Sequence, residues 1–154
     1  VRLASLSACQ TAITDFRNLP DEVVGLPAGL LQAGVSGVVG ALWSVNDLST
    51  ALLMVRFYEL HWQGDAGNGE GPLPPERALR RAQCWLRDVT NEELRDYVRR
   101  HREMTEARQC GDRMSAAMVS AGLWQAGLAI AQGRADERPY HDPYHWAAFT
   151  FHGA

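Results

Sequence analysis

The stretch Gly37–Val38–Val39–Gly40–Ala41–Leu42–Trp43 decides the fold class of this chain. It is short, apolar throughout and contains β-branched valines, a combination that favours a strand buried on both faces. Such strands occur almost only in sheets that are covered by helices on both sides. We therefore predict an α/β domain that contains this stretch as a buried strand.

The segments on either side of this strand predict helices. The segment 26–34 predicts a short helix, because Pro27 suits the first helical position and Gly34 suits the position just past the end. A second helix is predicted to run to about residue 62, with apolar side chains at helical spacing. These apolar side chains are Leu48, Ala51, Leu52, Val55, Tyr58 and Trp62, and the candidate N-cap residues are Asn46, Asp47 and Ser49.

Another strand is predicted at the start of the chain, where residues 1–7 form an apolar run that is closely followed by Cys9. In α/β proteins, reacting groups lie outside the carboxyl ends of the strands. A cysteine there is a candidate nucleophile, because its thiolate is reactive and an adjacent base can generate it. The alternative is that Cys9 is a small buried hydrophobic residue, the commonest role of a free cysteine. Neither Cys84 nor Cys110 has a stronger local case.

The rest of the chain is mainly helical in pattern. A Gly/Pro-rich loop covers 63–75, and Thr90 and Glu93 have the spacing of a capping box at the start of a helix. The Met/Ala-rich segment 114–132 predicts a further helix, and the alternation over 144–151 predicts a last strand. The predicted order β–α–β–α–α–α–α–β corresponds to an α/β fold with a mostly parallel sheet flanked by helices.

Composition excludes several classes of protein. The 154 residues suffice for one domain with its own core, and a net charge of −3 lacks the basic character of nucleic-acid-binding proteins. No window has the length and charge-free character of a membrane span. The three cysteines are odd in number and widely spaced, which indicates a reducing compartment, here the cytoplasm, without disulfides or a zinc site. The chain opens inside a strand pattern without Met or signal peptide, so we expect it to be part of a longer polypeptide.

Several motifs occur in an order that is typical of one family. They are Leu6–Ala12, Asp21–Leu26, Leu30–Gly34, Val38–Thr50, Phe57–Tyr58, Ala78–Leu86 and Pro143–Phe149. Together they resemble the CHAT-domain cysteine peptidases, relatives of caspases and separases in clan CD. The resemblance covers most of the chain, except for 87–140, which we interpret as a variable helical insertion before the last strand.

The resemblance implies a caspase–haemoglobinase-like fold, of which residues 1–154 form the C-terminal part of a single peptidase domain. It implies that Cys9 is the nucleophile that hydrolyses peptide bonds of a protein substrate. The base would be a His on the preceding strand, which caspases place about 50 residues upstream. Both this His and half of the oxyanion hole would then precede the chain, which we expect to be inactive alone. The expected partners are a protein or peptide substrate, the upstream part of the domain and helical repeats, such as tetratricopeptide repeats, of the parent protein.

Asp47 is the second candidate site residue. The resemblance places the preceding strand beside the nucleophile strand and implies that Asp47 binds a basic P1 side chain of the substrate through a charge-assisted contact. The alternative is that Asp47 is the N-cap of the helix at 47–62. Asp21 and Glu22 form another acidic pair, for which we favour solvated or helix-start positions over substrate binding.

His141 and His145 are not predicted to bind a metal, because Pro143 between them prevents the shared helical face of an H-E-x-x-H site. We expect neither a metal nor a cofactor. Both histidines have the spacing from Cys9 that papain-like enzymes use, about 130–150 residues. The C-G-[SA]-C-[WY] signature is absent, however, and Cys9 ends a strand instead of opening a helix, so we expect neither His to be the base. A further alternative is a non-catalytic pseudo-peptidase or interaction module fused to helical repeats.

Overall fold

The computed structural model describes residues 2–6, 25–107 and 133–153, with the backbone alone at 66 and 102–107. Its elements are β1 (Leu3–Ser5), α1 (Leu26–Gln32), β2 (Gly37–Ala41), α2 (Asp47–Trp62), a 3₁₀ turn (Ala66–Asn68), α3 (Pro75–Asp88), α4 (Asn91–Ala107), α5 (Pro143–Trp146) and β3 (Phe149–Gly153). The predicted α/β class is confirmed. The predicted helix at 114–132 and Cys110 lie outside the described residues.

The described strands form one mixed sheet in the order β1–β2–β3. β1 and β2 are parallel, with Leu3 beside Gly37, and β2 and β3 are antiparallel, with Ala41 beside Phe149. All five residues of β2 are buried, which confirms the prediction of a strand covered on both faces. One parallel and one antiparallel pair do not confirm a mostly parallel sheet, nor do they confirm the caspase-like detail of the fold.

The helix before β2 ends as the sequence predicts. Gly34 has a φ of 89°, a conformation that residues with a side chain rarely adopt. Its N–H donates to the Leu31 carbonyl at 3.0 Å, and the Val35 N–H donates to the Leu30 carbonyl at 3.0 Å. These two bonds form a Schellman motif, which satisfies carbonyls at the helix end and turns the chain into β2.

The core lies between the sheet and helices α2 to α4. Leu52, Leu53 and Phe57 of α2 are fully buried, as are Ala82 and Leu86 of α3. Burying a side chain of the size of Leu or Phe contributes about 1.5–3 kcal/mol relative to leaving it in water. This face of α2 differs from the predicted apolar stripe, of which only Leu52 is fully buried.

The other residues of that stripe are half-buried, except Trp62, which retains 66% of its accessible surface. The Trp62 ring stacks on Tyr58 with the ring centroids 4.7 Å apart. Helical periodicity identified only part of the buried face, because α2 carries apolar residues on more than one side.

The described part of the predicted insertion at 87–140 takes part in the core. Leu94, Tyr97 and Val98 of α4 are buried. The predicted capping box is confirmed at the start of α4, since the Glu93 carboxylate accepts from the Thr90 N–H at 2.8 Å and the Thr90 Oγ1 accepts from the Glu93 N–H at 3.3 Å.

The prediction of a last strand over 144–151 is wrong in its first half, because Pro143–Trp146 forms α5 and the strand begins only at Phe149. Asp142 starts α5, since its Oδ1 accepts from the Tyr144 N–H at 2.8 Å, and Pro143 occupies the first helical position. An N-cap followed by Pro favours a helix start, and this local signal overrides the alternation of side chains. Among the described helices, none combines the length and apolar character needed to cross a bilayer.

Candidate active site at the carboxyl edge of the sheet

The parallel pairing of β1 and β2 brings their carboxyl ends to one edge, which we call the carboxyl edge. The pairing continues one residue past β1, where the Leu6 N–H donates to the Val39 carbonyl at 2.8 Å. On the other side of β2, the Leu42 N–H donates to the Ala148 carbonyl at 2.8 Å. The chain leaves β1 at this edge and enters α2 there. In α/β sheets, ligands bind at such an edge.

The predicted nucleophile Cys9 lies outside the described residues, and so does the acidic pair Asp21 and Glu22. Cys9 follows Leu6, the last described residue of this segment, by three positions in the sequence. Its role as a nucleophile therefore stays a prediction.

Asp47 is the first residue of α2 at the carboxyl edge, and its side chain is exposed. The N-cap is Asn46, whose Oδ1 accepts from the Leu48 N–H at 3.0 Å and from the Ser49 N–H at 3.2 Å. The alternative that Asp47 is the N-cap is thus wrong. Among the described residues, no side chain or backbone group forms a hydrogen bond or ion pair with the Asp47 carboxylate. The carboxylate is exposed, and its place in the first turn of α2 is favourable for a negative charge.

Helix α5 packs against the start of α2 at the same edge. The Trp43 Nε1 donates to the Tyr144 carbonyl at 3.0 Å, which joins the β2–α2 connection to α5. The His145 Nδ1 lies 3.3 Å from the Ser49 Oγ. Ser49 is fully buried, and its Oγ donates to the Asn46 carbonyl at 2.9 Å.

Gln83 of α3 holds the turn between α5 and β3. Its Nε2 donates to the Trp146 carbonyl and to the Phe149 carbonyl, each at 2.9 Å. The Arg87 guanidinium lies 5.9 Å from the centroid of the Trp146 ring, within the range of a cation–π contact. The carboxyl edge is therefore supported by α3 as well as by α2 and α5.

The sequence did not indicate that Ser49, His145 and Gln83 belong to one site. In the sequence, Ser49 is only a candidate N-cap, and His145 is a candidate metal ligand and base that local features argue against. Ser49 and His145 are 96 positions apart, and periodicity does not report on contacts over such a separation. The one local signal was that Ser49 is a hydroxyl residue in the first turn of a helix.

Comparison with family models adds the decisive observation, because the model of the CHAT domain matches residues 1–154. The chain belongs to the CHAT domain family. Comparisons with curated proteins and with solved structures found no match. CHAT domains are associated with caspase-like cysteine peptidases, so membership supports a peptidase-related function in general.

The described part of this CHAT domain contains no cluster of three or more His, Cys, Asp or Glu side chains that would hold a metal ion. His141 is exposed, and Asp142 between it and α5 serves as an N-cap.

A groove of about 390 Å³ lies between α3 and α4 of the CHAT domain. It is lined by Cys84, Trp85, Asp88, Val89, Glu93, Tyr97 and Arg100. Cys84 is an exposed free thiol on α3. Two of the lining acids already have partners, since Asp88 binds Arg87 at 2.7 Å and Glu93 belongs to the capping box.

A cluster of charged and polar side chains centred on Glu59 ties α2 to α4. The Tyr97 hydroxyl donates to the Glu59 Oε2 at 2.8 Å, the His101 Nε2 lies 2.6 Å from the Oε1, and the Arg56 Nη1 lies 3.3 Å from the Oε2. Burial raises the pKa of the Glu59 carboxyl, but the bonds with His101, Tyr97 and Arg56 outweigh burial and leave this pKa below its ordinary value. Burial, together with the Glu59 charge, raises the pKa of the Tyr97 phenol.

Proposed function

We propose that this CHAT domain is the nucleophile-bearing part of a cysteine endopeptidase that hydrolyses peptide bonds of a protein substrate. The observation that carries the proposal is the parallel pairing of β1 with β2. Because of this pairing, the segment that leads to Cys9 and the start of α2 with Asp47 leave the sheet at the same edge. Cys9 follows Leu6 by three positions, which span at most about 11 Å.

In the proposed reaction, the Cys9 thiolate attacks the carbonyl carbon of the scissile bond. Backbone N–H groups stabilise the resulting oxyanion. A His base from the upstream part of the domain takes the thiol proton and passes it to the leaving amine, and water then hydrolyses the thioester. The free thiol of Cys84 supports a reducing compartment, for which we propose the cytoplasm. The upstream part of the domain and helical repeats are the proposed partners within the parent protein.

The proposed role of Asp47 is to bind a basic P1 side chain. The exposed carboxylate, which has no partner among the described residues, supports this role, and so does its position at the carboxyl edge. A carboxylate of this kind forms charge-assisted hydrogen bonds with Arg or Lys of a substrate.

Covalent labelling of the full-length parent protein tests the nucleophile. A peptidyl acyloxymethyl ketone with Arg at P1 should label the protein through Cys9 and block its proteolysis. The Cys9→Ala variant should lose both labelling and proteolysis and keep its melting temperature, because the change removes a single sulfur atom and costs at most about 1 kcal/mol. Cys84→Ala is the matched control and should keep both. Proteolysis retained by Cys9→Ala would contradict the proposal and favour a non-catalytic interaction module for this chain.

A double variant tests the proposed origin of the base. Changing His141 and His145 to Gln should leave kcat for a neutral-P1 substrate within a few-fold of wild type, because the proposed base lies upstream. Loss of activity by several orders of magnitude in a folded variant would instead support the papain-like arrangement, in which a His after the nucleophile is the base.

A further inference from the structure

We propose that Ser49 and His145 are positioning residues that set the P1 preference, by fixing the first turn of α2 and with it the Asp47 carboxylate. This inference rests on the proposed function, and it concerns two residues that the family match does not assign. It is carried by the contact between two helices that meet at the carboxyl edge.

Ser49 is a buried hydroxyl in the first turn of α2. Its exposed fraction is 0%, so water cannot satisfy the hydroxyl group. A buried hydroxyl without a partner is costly, and the available partners of the Ser49 Oγ are the Asn46 carbonyl at 2.9 Å and the His145 Nδ1 at 3.3 Å. One partner belongs to the N-cap of α2 and the other to α5.

The Asn46 carbonyl has more donors than it can accept at full strength. It lies 3.0 Å from the Thr50 N–H nitrogen, 2.9 Å from the Thr50 Oγ1 and 2.9 Å from the Ser49 Oγ. A carbonyl oxygen has two lone pairs. Ser49 has the imidazole as a second partner, whereas the Thr50 hydroxyl has no other partner among the described residues. His145 therefore completes the hydrogen bonding of the Ser49 hydroxyl at this crowded helix start.

His145 is itself held in place from several sides. Its ring makes edge-on contacts with Tyr140 and Tyr144, with centroid distances of 5.2 Å and 5.3 Å. The Tyr144 carbonyl accepts from Trp43, and Gln83 binds the turn that follows α5. The Ser49–His145 contact thus connects the first turn of α2 to a part of the molecule that is fixed by the sheet and by α3.

Asp47 lies between the N-cap and Ser49, so the position of its backbone depends on this turn. Its own carboxylate has no partner among the described residues that would hold it. Productive recognition of a substrate group requires placement to within about 0.5 Å by residues that are locked by their own contacts. The contact between Ser49 and His145 restrains the turn of α2 that carries Asp47.

The first test is hydrogen exchange of the parent protein, which needs no activity. Ser49→Ala and His145→Leu should increase exchange of the amides of the first turn of α2, at 48–50. His145→Asn should restore protection, because its amide places a polar atom near the position of the imidazole Nδ1. Thr50→Ala is the matched control, since it removes a hydroxyl from the Asn46 carbonyl without cutting the connection to α5. Unchanged exchange in Ser49→Ala and His145→Leu would overturn the positioning role.

The second test compares hydrolysis of two peptides that carry Arg or its neutral isostere citrulline at P1. Ser49→Ala and His145→Leu should lower the Arg-to-citrulline ratio of kcat/KM by about fivefold, the effect expected from one weakened hydrogen bond, through KM and not kcat. His145→Asn and Thr50→Ala should keep the wild-type ratio. An equal loss on both peptides, or an unchanged ratio in folded variants, would overturn the inference. A wild-type protein that cleaves neither peptide but shows the exchange pattern would refute the proposed function alone.

Discussion

Replacing Tyr97 with Phe removes the hydroxyl that joins α4 to α2. The resulting loss of stability can be worked out from the surroundings of Glu59. The Tyr97 side chain is buried, and its hydroxyl donates to the Glu59 Oε2 at 2.8 Å. The change removes one hydrogen bond from the Glu59 carboxylate, which keeps His101 and Arg56 as partners. The phenyl ring still fills the space beside Trp85, whose ring centroid lies 4.8 Å away.

The expected loss of stability is about 1–2 kcal/mol. A hydrogen bond to a charged group contributes about 1.5–3 kcal/mol. Glu59 keeps 20% of its side-chain surface exposed, so solvent screens part of this contribution. For a domain of this size, each kcal/mol corresponds to about 2–4 °C in Tm, so we expect a decrease of about 2–8 °C.

The loss should also depend on pH. The bonds to Glu59 favour its ionised form and hold its pKa in the folded state below the ordinary value. Their stabilisation is therefore fully present above the pKa of an unfolded Glu, about 4.3, and is lost as the pH falls through the lower folded value. The difference in the free energy of unfolding between wild type and Tyr97→Phe should accordingly become smaller as the pH falls below about 4.3.

Denaturant unfolding at neutral and acidic pH measures both effects. Tyr140→Phe is the matched control, because Tyr140 is also buried and burial raises the pKa of its phenol, yet no side-chain acceptor binds its hydroxyl in the described structure. The control should change stability by less than about 0.5 kcal/mol. A Tyr97→Phe protein as stable as the control at neutral pH, or one whose deficit grows at acidic pH, would refute the reasoning.

Two further substitutions test the carboxyl edge and the sheet. Asp47→Ala should lower kcat/KM of the parent for substrates with basic P1 by about one to two orders of magnitude, with little effect on neutral P1; a P1 library assay that shows equal losses would contradict the pocket role. In melting experiments the same change should cost only about 0.3–1 kcal/mol, against about 0.5–2 kcal/mol for Asn46→Ala, which removes the N-cap. Gly37→Ala should destabilise by about 1–3 kcal/mol, because the added Cβ would lie 2.7 Å from the Phe151 ring. Gly29→Ala in α1, where a Cβ meets nothing within 4 Å, should be neutral or stabilising, and a comparable loss there would refute the steric argument.

Short sequence signals correctly predicted the elements that short-range interactions determine. The Pro27 and Gly34 pair correctly bounded α1, and the Thr90–Glu93 spacing correctly marked the start of α4. The buried strand was predictable because an apolar run with valines has few other stable environments.

Predictions failed where long-range contacts or competing local signals decide. The predicted last strand begins too early, because the cap and Pro at 142–143 start a helix within the alternating segment 144–151. The antiparallel pairing of β3 depends on a return of the chain from α5, which no local pattern specifies. The contact between Ser49 and His145 likewise arises only when α5 packs on α2.

The start of α4 also forms hydrogen bonds with a segment that is distant in the sequence, residues 133–137. The Asn91 N–H donates to the Glu137 carbonyl at 2.9 Å, the Asn91 Nδ2 to the Arg134 carbonyl at 2.9 Å and the Arg95 Nη2 to the Gly133 carbonyl at 2.6 Å. Asn91 lies about 24 Å along α4 from Ala107, the last described residue of this helix.

These bonds tie the start of α4 to the segment that precedes α5 and β3. The supports of the carboxyl edge are separate from this connection, because the bonds that hold α5 and β3 come from α2, α3 and the β2–α2 connection. A substitution that weakens the start of α4 should therefore leave the hydrogen bonds of the carboxyl edge in place.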